Sequence, residues 1–451
     1  MALTDHPKAY GTAAVAVAFT AGILVTLGFK DVYPDLERRY RRRRNRSARG
    51  STSGPSRRDS LFWGPPVQLE DREANPSPHP KGDDDGVASD GIEACIGNTP
   101  LIKIRSLSEA TGRTILAKAE FLNGAGNSPK DRVALNMIRE AESQGLLVPH
   151  RGDTIYEGTV GSTGISLATL AHARGYKAHI CMPDDQSYEK SDLLHHLGAE
   201  VERVTVAPIT SPDHFVNLAR RRAEEHERVH ADGSKGFFAN QFESTANWQA
   251  HFRTTGPEIH RQTEGRIDAF VAGAGTGGTI SGVARYLREE AKLRDVKIVL
   301  ADPQGSGLYN KIRHGVMYSP TEREGTRRRQ QVDSIVEGIG INRVTENFEA
   351  GRDLVDDAVK VTDEQACRMA RWLVEKDGIF VGSSSSVNCV AAVVAAVSLP
   401  EGSQVVTVLC DSGTRHLSKF WKRIKDLGLE EEEESSDLFA ELGITQANAQ
   451  T

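Results

Sequence analysis

From residue 91 to about 427, short runs of apolar and β-branched residues alternate with stretches of helical periodicity, and this limits the possible folds more than any other feature. The order begins with "TILAKAEF", a helix opening near Ser128 or Pro129, "DTIYEG", the helical "TGISLATLAHARG", "KAHICM", "EKSDLLHHLG" and "EVERVTV". It resumes with "IDAFVAGAG", "GGTISGVARYLREEA" and "VKIVLADP", and ends with "VVTVLC" before a final helix. Strand, loop and helix in that order imply parallel sheets covered by helices, so the expected fold class is α/β. Ligands in such folds bind where loops leave the carboxyl ends of strands.

Composition suits such a body. At 451 residues, 38% hydrophobic and 26% charged, the chain can bury a sizeable core. A net charge of -6, with basic residues dispersed apart from one N-terminal run, leaves no footprint for nucleic acid. Cys95, Cys181, Cys367, Cys389 and Cys410 lie far apart without a CxxC pair. That spacing predicts buried free thiols in a reducing compartment, with neither a disulfide framework nor a metal site.

Between Lys8 and Lys30 lie 21 uncharged residues, "AYGTAAVAVAFTAGILVTLGF". As a helix at ~1.5 Å per residue they would span about 31 Å, one membrane crossing. Seven arginines follow between Arg38 and Arg46, and basic flanks stay in the cytosol, so the body is expected to face the cytosol. A cleaved secretory signal would carry its charge before the apolar run, and a mitochondrial presequence would be arginine-rich, whereas the first 30 residues hold Asp5 and no arginine. Residues 1–30 therefore read as a single-pass transmembrane anchor, with the mitochondrial outer membrane as the expected location and the endoplasmic reticulum as the alternative. Residues 31–90, basic and then rich in Ser, Pro and Gly, read as a disordered linker, and residues 428–451, with "EEEEE" from Glu430 to Glu434, as a solvated acidic tail.

Within the body, "NSPKDRVALNMI" puts Lys130 in the first turn of a helix, where a positive charge opposes the helix dipole. "GAGTGGTISG", Gly273 to Gly282, follows a strand and opens a helix, so its backbone N–H groups suit a phosphate. Gly273, Gly275 and Gly278 have dinucleotide-site spacing, but Asp302 lies further on than a ribose partner should, and the GK[ST] of a P-loop is absent. "EGTVGSTGIS", Glu157 to Ser166, has the same strand-to-helix placement and could hold a carboxylate. "GIFVGSSSSVN" and "LCDSGTRHLS" add hydroxyl groups at strand ends, without the GxSxG elbow of a serine hydrolase.

In order, "IGNTPL", "NSPKDR", "GSTGIS", "NQF", "GTGGTISG", "EGIG" and "DSG" resemble the cysteine synthase and cystathionine β-synthase family, the β-replacement group of fold type II pyridoxal-phosphate enzymes. The resemblance implies two parallel-type open α/β domains with the active site between them, the smaller at about 135–240, inside a catalytic domain of residues 91–427 that forms a homodimer. It implies pyridoxal phosphate as cofactor, with Lys130 as its Schiff-base lysine, and Gly275, Thr276, Gly277, Gly278 and Thr279 around the phosphate. It also implies that Ser412 faces the pyridine nitrogen, that Ser162 stands beside the ring, and that Thr159, Val160, Gly161, Thr163 and Gln241 hold the substrate carboxylate. A neutral serine at the ring nitrogen makes a milder electron sink than an aspartate, which suits β-elimination over transamination.

The activity so implied is conversion of O-acetyl-L-serine and sulfide to L-cysteine and acetate, with Lys130 as both anchor and base. Alternatives are a cystathionine β-synthase, a serine or threonine dehydratase, and a membrane-tethered binding protein that has lost turnover. Val160 and Ser162 stand where the family loop reads SGNTG, Ser386 where glycine is frequent, and the basic "SPTEREGTRRRQQ" precedes "EGIG".

Overall fold

Two sheets realise the alternation in the computed structural model, whose described residues are 91–186, 188–317, 334–433 and 435–444. The six-stranded sheet has the order β1-β2-β10-β7-β8-β9. Its strands are Leu101–Lys103 (β1), Thr114–Ala119 (β2), Ala269–Gly273 (β7), Lys297–Pro303 (β8), Asp357–Val361 (β9) and Gln404–Leu409 (β10). Only the β1–β2 pair is antiparallel. The four-stranded sheet, order β5-β4-β3-β6, is parallel throughout and consists of Thr154–Gly158 (β3), Lys177–Pro183 (β4), Glu200–Val204 (β5) and Gly236–Phe238 (β6). It lies inside the 135–240 stretch. Helices cover both faces, so a central strand such as "KIVLADP" is apolar almost throughout and buried from Ile298 to Pro303.

Helix α1 (Lys130–Ser143) sends Val133, Ala134, Met137, Ile138 and Ala141 into one core together with helix α2 (Ser162–Ala173) and the small sheet. Helix α3 (Tyr188–His196) precedes β5, and helix α4 (Phe215–Val229) packs Leu218 and Ala219 against Cys181. Ile180 and Met182 belong to the α1–α2 core while Cys181 meets α4, so β4 alternates its side chains between two helical layers. Beyond the small sheet run α5 (Ala246–Ala250), a π turn (His251–Thr255) and α6 (Gly256–Gln262), then α7 (Gly278–Arg285), α8 (Glu346–Arg352), α9 (Asp363–Asp377) and α10 (Ser383–Val397).

The structure departs from the sequence expectations in four places. The serines of "GSSSSVN" do not sit in a strand-end loop: Ser383 to Ser386 form the buried first turn of α10. The acid-rich C-terminal stretch is partly folded, because helix α11 (Leu438–Leu442) places Leu438 and Leu442, with Leu429 and Ile444, in the main core. Arg368 on α9 reaches Glu432 and Glu441 at 3.1 and 3.2 Å, so acids expected in solvent have a basic partner. Cys95 is exposed and Cys410 half-buried, whereas Cys181, Cys367 and Cys389 are buried; all five are free. The anchor and linker expected over 1–90 and the basic stretch at 319–331 lie outside the described residues. Among the described residues, no helix is long and apolar enough to cross a membrane.

A buried ion network fixes the start of α1. Arg132 bonds Glu120 through Nε at 2.8 Å and Nη2 at 2.7 Å, and Glu258 through Nη1 at 2.6 Å and Nη2 at 2.8 Å. Lys118 reaches the other side of Glu258 at 2.5 Å and the Thr99 carbonyl at 2.6 Å. Thr99 donates its hydroxyl to Glu120 at 2.7 Å, and the N–H of Asn98 donates to Glu258 at 3.0 Å. Thus "IGNTPL", β2, α1 and α6 meet on two carboxylates. Burial opposes charge on both, but Arg132 outweighs it and holds Glu120 and Glu258 below the usual carboxylate range.

Deleting one member of such a network strands the remaining charges, so Arg132→Met is expected to lose about 3–5 kcal/mol in urea unfolding. Arg139→Ala, which breaks the exposed pair to Glu93, is expected to lose at most about 1 kcal/mol. Equal losses in the two variants would remove the network from its structural role.

Candidate active site

The loops expected to carry chemistry converge at the carboxyl ends of β3, β7 and β10. Lys130 opens α1 with Pro129 at the cap position and its own N–H bonded to Ser128 Oγ at 3.2 Å. Its side-chain amine has no hydrogen-bond or ion-pair partner among the described residues. Burial pushes the amine below its ordinary range, while Cys410 and Asp411 at the end of β10 pull the other way. Its charge is also felt at His251, which bonds Thr279 of the glycine loop at 3.2 Å. Lys130 therefore lies between the "DSG" end and the "GTGGT" loop.

The glycine loop is shaped by its neighbours. A Cβ on Gly275 would meet the Gly338 carbonyl at 2.2 Å, and one on Gly278 would meet Asn247 Oδ1 at 1.9 Å. Gly277 has φ +86°, with Phe348 2.5 Å from where a Cβ would stand. The first helical bond here is Ser281 N–H to Gly277 O, so the N–H groups of Gly275, Thr276, Gly277, Thr279 and Ile280 have no partner among the described residues. Asn247 donates to Thr276 Oγ1 at 3.0 Å, which leaves the Thr276 hydroxyl proton free to donate onward. A cradle of free N–H groups at a helix N-terminus, with threonine hydroxyls beside it and an unpaired amine nearby, fits the phosphate and the aldehyde of pyridoxal phosphate.

The second loop is built alike. Thr159 N–H is held by the Cys181 carbonyl at 3.0 Å, and Gly161 N–H leans on Thr159 Oγ1 at 3.4 Å. The N–H groups of Val160, Ser162 and Thr163 have no partner among the described residues, and nothing lies within 4 Å of a Cβ added to Gly161. Thr163 Oγ1 donates to Gln241 Oε1 at 2.5 Å, and Gln241 Nε2 donates to the Gly158 carbonyl at 3.3 Å. Ser162 Oγ has no partner among the described residues. Open space, unspent donors and a helix N-terminus suit a carboxylate.

At the third element, Ser412 Oγ accepts from Thr414 N–H at 3.3 Å and Thr414 Oγ1 at 3.1 Å, so its own proton remains to be donated. His416 Nε2 pairs with Asp411 Oδ2 at 3.1 Å and its Nδ1 lies 3.5 Å from Glu337 of "EGIG". Burial works against the imidazolium, but the two carboxylates prevail and raise His416 to about 9. Lys190 on α3 and Lys419 also reach Glu337, at 3.0 and 3.2 Å. One carboxylate thus ties "EGIG" and "DSG" to the small sheet's helices.

All thirteen residues expected at the site lie on these three loops, on the start of α1 or at Gln241. The sequence reading missed the residues that join them. Asn247 on α5 donates to the Gln241 carbonyl at 2.7 Å as well as to Thr276, so one amide links the two donor loops. Its position between "NQF" and "TTGPEI" carries no periodic or motif signal. Glu157, fully buried beneath the second loop, accepts from Gln241 N–H at 3.2 Å, and burial raises it to about 8. A carboxyl kept protonated there adds no charge to repel a bound carboxylate.

Comparison with known proteins agrees with this geometry. Residues 92–411 match the family described as pyridoxal-phosphate dependent enzyme. The chain is 72% identical over 455 residues to cysteine synthase 2 of Neurospora crassa, covering 98% of this chain and 99% of that one. It is 55% identical over 338 residues, 75% of this chain and 85% of the other, to a Saccharomyces cerevisiae protein whose name includes "mitochondrial cysteine synthase". A solved structure of O-ureido-L-serine synthase is 32% identical with a TM-score of 0.63, covering 77% of this chain and 98% of that one. With residues 92–411 matched to the family and a 72% identical relative covering nearly the whole chain, this protein belongs to the pyridoxal-phosphate dependent enzymes.

Proposed function

We propose that this protein is a cysteine synthase that replaces the acetoxy group of O-acetyl-L-serine with sulfide, giving L-cysteine and acetate. The observation that carries this reading is Lys130: a partly buried amine with no partner among the described residues, whose charge interacts with Cys410 and Asp411, next in sequence to Ser412, and with His251, which bonds Thr279 of the glycine loop. Its support among relatives is the Neurospora crassa cysteine synthase 2, 72% identical over nearly the whole chain.

Bound pyridoxal phosphate supplies an electron sink for charge that develops at the substrate Cα. In this reading the chain's own groups do the rest. Gly275 to Thr279 hold the phosphate, Lys130 anchors the cofactor, and Ser412 donates its free proton to the ring nitrogen. Val160, Ser162 and Thr163 present their N–H groups to the substrate carboxylate, with Gly161 leaving the room and Gln241 closing one side. Lys130 Nζ, whose proton burial has made easier to lose, takes the Cα proton. Sulfide, entering last, adds where acetate left. Water is kept from the Lys130 amine by the same burial that lowers its proton affinity.

We further propose that residues 1–30 anchor the enzyme in a membrane, that residues 31–90 tether the body on the cytosolic side, and that the body forms a homodimer. The charge-free run from Ala9 to Phe29 and the arginines from Arg38 to Arg46 support the anchor. The mitochondrial outer membrane is the favoured site, and the name of the yeast relative supports it.

Turnover by the purified full chain is expected with O-acetylserine and sulfide, and not with serine and homocysteine. Lys130→Ala is expected to lose the cofactor's long-wavelength visible band and at least about 10²–10⁴ of the rate. An unchanged band in that variant would unseat Lys130, whereas a normal band without cysteine formation would favour a binding protein. Deletion of residues 1–30 is expected to move the protein from the membrane to the soluble fraction of cells with turnover retained. A truncated chain that sediments as before would mean that the span has been misread.

A further inference from the structure

The face of the small sheet beneath α4 carries polar groups where a core would ordinarily be apolar. His179 and Cys181, two residues apart on β4, point to that face, and β5 pairs with them in register, Glu200 opposite His179 and Glu202 opposite Cys181. His179 Nε2 lies 3.2 Å from Glu202 Oε2, and Cys181 Sγ lies 4.0 Å from the same oxygen. The three ligand atoms fall within 4.8 Å of one another, with His179 and Cys181 buried. We propose that His179, Cys181 and Glu202 bind a zinc ion, with water as the fourth ligand.

The surroundings favour this on four counts. An imidazole, a thiolate and a carboxylate are the donor types of mixed zinc sites, and ligand atoms this close need only small movements to surround one ion. The second nitrogen of His179, Nδ1, stands 3.3 Å from Glu200 Oε2, a carboxylate placed to fix the ring's orientation as outer partners of ligating histidines do. Arg222 on α4 bonds Glu202 through Nη2 to Oε1 at 2.7 Å and through Nε to Oε2 at 3.0 Å. On binding, Oε2 turns to the metal while Oε1 keeps Arg222. The charges then balance: the thiolate and two glutamates against zinc and the guanidinium.

Among the described residues, the other groups acting at the cluster are Tyr156, whose ring lies 5.0 Å from that of His179, Glu225, 3.7 Å from Arg222, and Glu157, whose carboxyl acts on Cys181. None is a second cation. Burial and Glu202 push the Cys181 thiol up to about 12, so without a metal it is an inert thiol, and binding releases its proton to solvent. The ion would staple the edge strand β5 to β4. No spacing rule finds such a site, because its ligands come from two strands paired across 21 residues.

Full-length holoenzyme dialysed against zinc chloride and then metal-free buffer is expected to keep one zinc per chain by elemental analysis. Cobalt(II) loaded instead should give the intense long-wavelength bands of a four-coordinate site. In competition with a chromophoric chelator, Cys181→Ser and Glu202→Gln should weaken zinc binding by more than tenfold, and Glu200→Gln by about tenfold. The visible cofactor band and circular dichroism verify that each variant has folded. Wild-type enzyme that retains no zinc, a cobalt spectrum typical of six oxygen and nitrogen ligands, or full zinc retention in folded Cys181→Ser each overturns the assignment. The wild-type cobalt spectrum decides even where a variant fails to fold.

Discussion

The position of the reactive amine depends on a guanidinium two residues away. Arg132 is buried and holds two carboxylates that come from widely separated stretches of chain, Glu120 after β2 and Glu258 on α6. A buried charge has few acceptable geometries, because each misplaced donor leaves a carboxylate unsolvated. The first turn of α1 is thereby pinned to β2, to α6 and to "IGNTPL", and Lys130 is part of that turn. Asp131 adds a local restraint, accepting from Gly126 N–H at 2.7 Å and Ser166 Oγ at 2.6 Å, which ties the same turn to α2. Three consecutive residues thus divide the work: the Lys130 amine has no partner among the described residues, while Asp131 Oδ1 and the Arg132 guanidinium are bonded on either side of the turn that carries it.

Lys118 and Lys130 show what separates a structural lysine from a chemical one. Burial lowers the proton affinity of both amines. Lys118 has Glu258, the Thr99 carbonyl and Gln262 within 3.0 Å, so its charge is paired and its proton stays useful. Lys130 has no such partner among the described residues, and there its lowered proton affinity is not offset by a hydrogen bond. Burial alone would therefore misidentify Lys118, and only the partner inventory distinguishes the two.

Legibility followed how local the causes were. Seven strands and the helix at Lys130 were readable because each is announced by its own periodicity or by a glycine-bounded turn. Three strands were not read: β1 and β6, three residues each, are too short for a period of two to register, and β9, Asp357–Val361, is a five-residue run flanked by acidic residues. Helix α10 was misread because its opening serines look like a loop; their hydroxyls instead serve backbone groups, as Ser385 does in accepting from Cys410 N–H at 2.8 Å. The site residues on motifs were found through their resemblance to a family. Asn247, Glu157 and Glu337 were not, since each acts by joining segments that only the fold brings together.

The altered loop Val160-Gly161-Ser162 can be weighed in these terms. Its N–H groups supply the donors proposed for the carboxylate, and a backbone donor is present whatever the side chain. Gly161, with open space around it, keeps the approach clear, and Thr163 and Gln241 remain bonded to each other. Exchange of a hydroxyl for the isopropyl group of Val160, and of an amide for the hydroxyl of Ser162, therefore leaves the donors proposed for the carboxylate in place. What changes is the side-chain surface of the loop, where Ser162 Oγ has no partner among the described residues. In the proposed reading the consequence falls on the leaving group and the incoming nucleophile: selectivity among β-substituted serines is where this loop can act, while the donors proposed for the amino acid's carboxylate belong to the backbone and do not depend on the side chains.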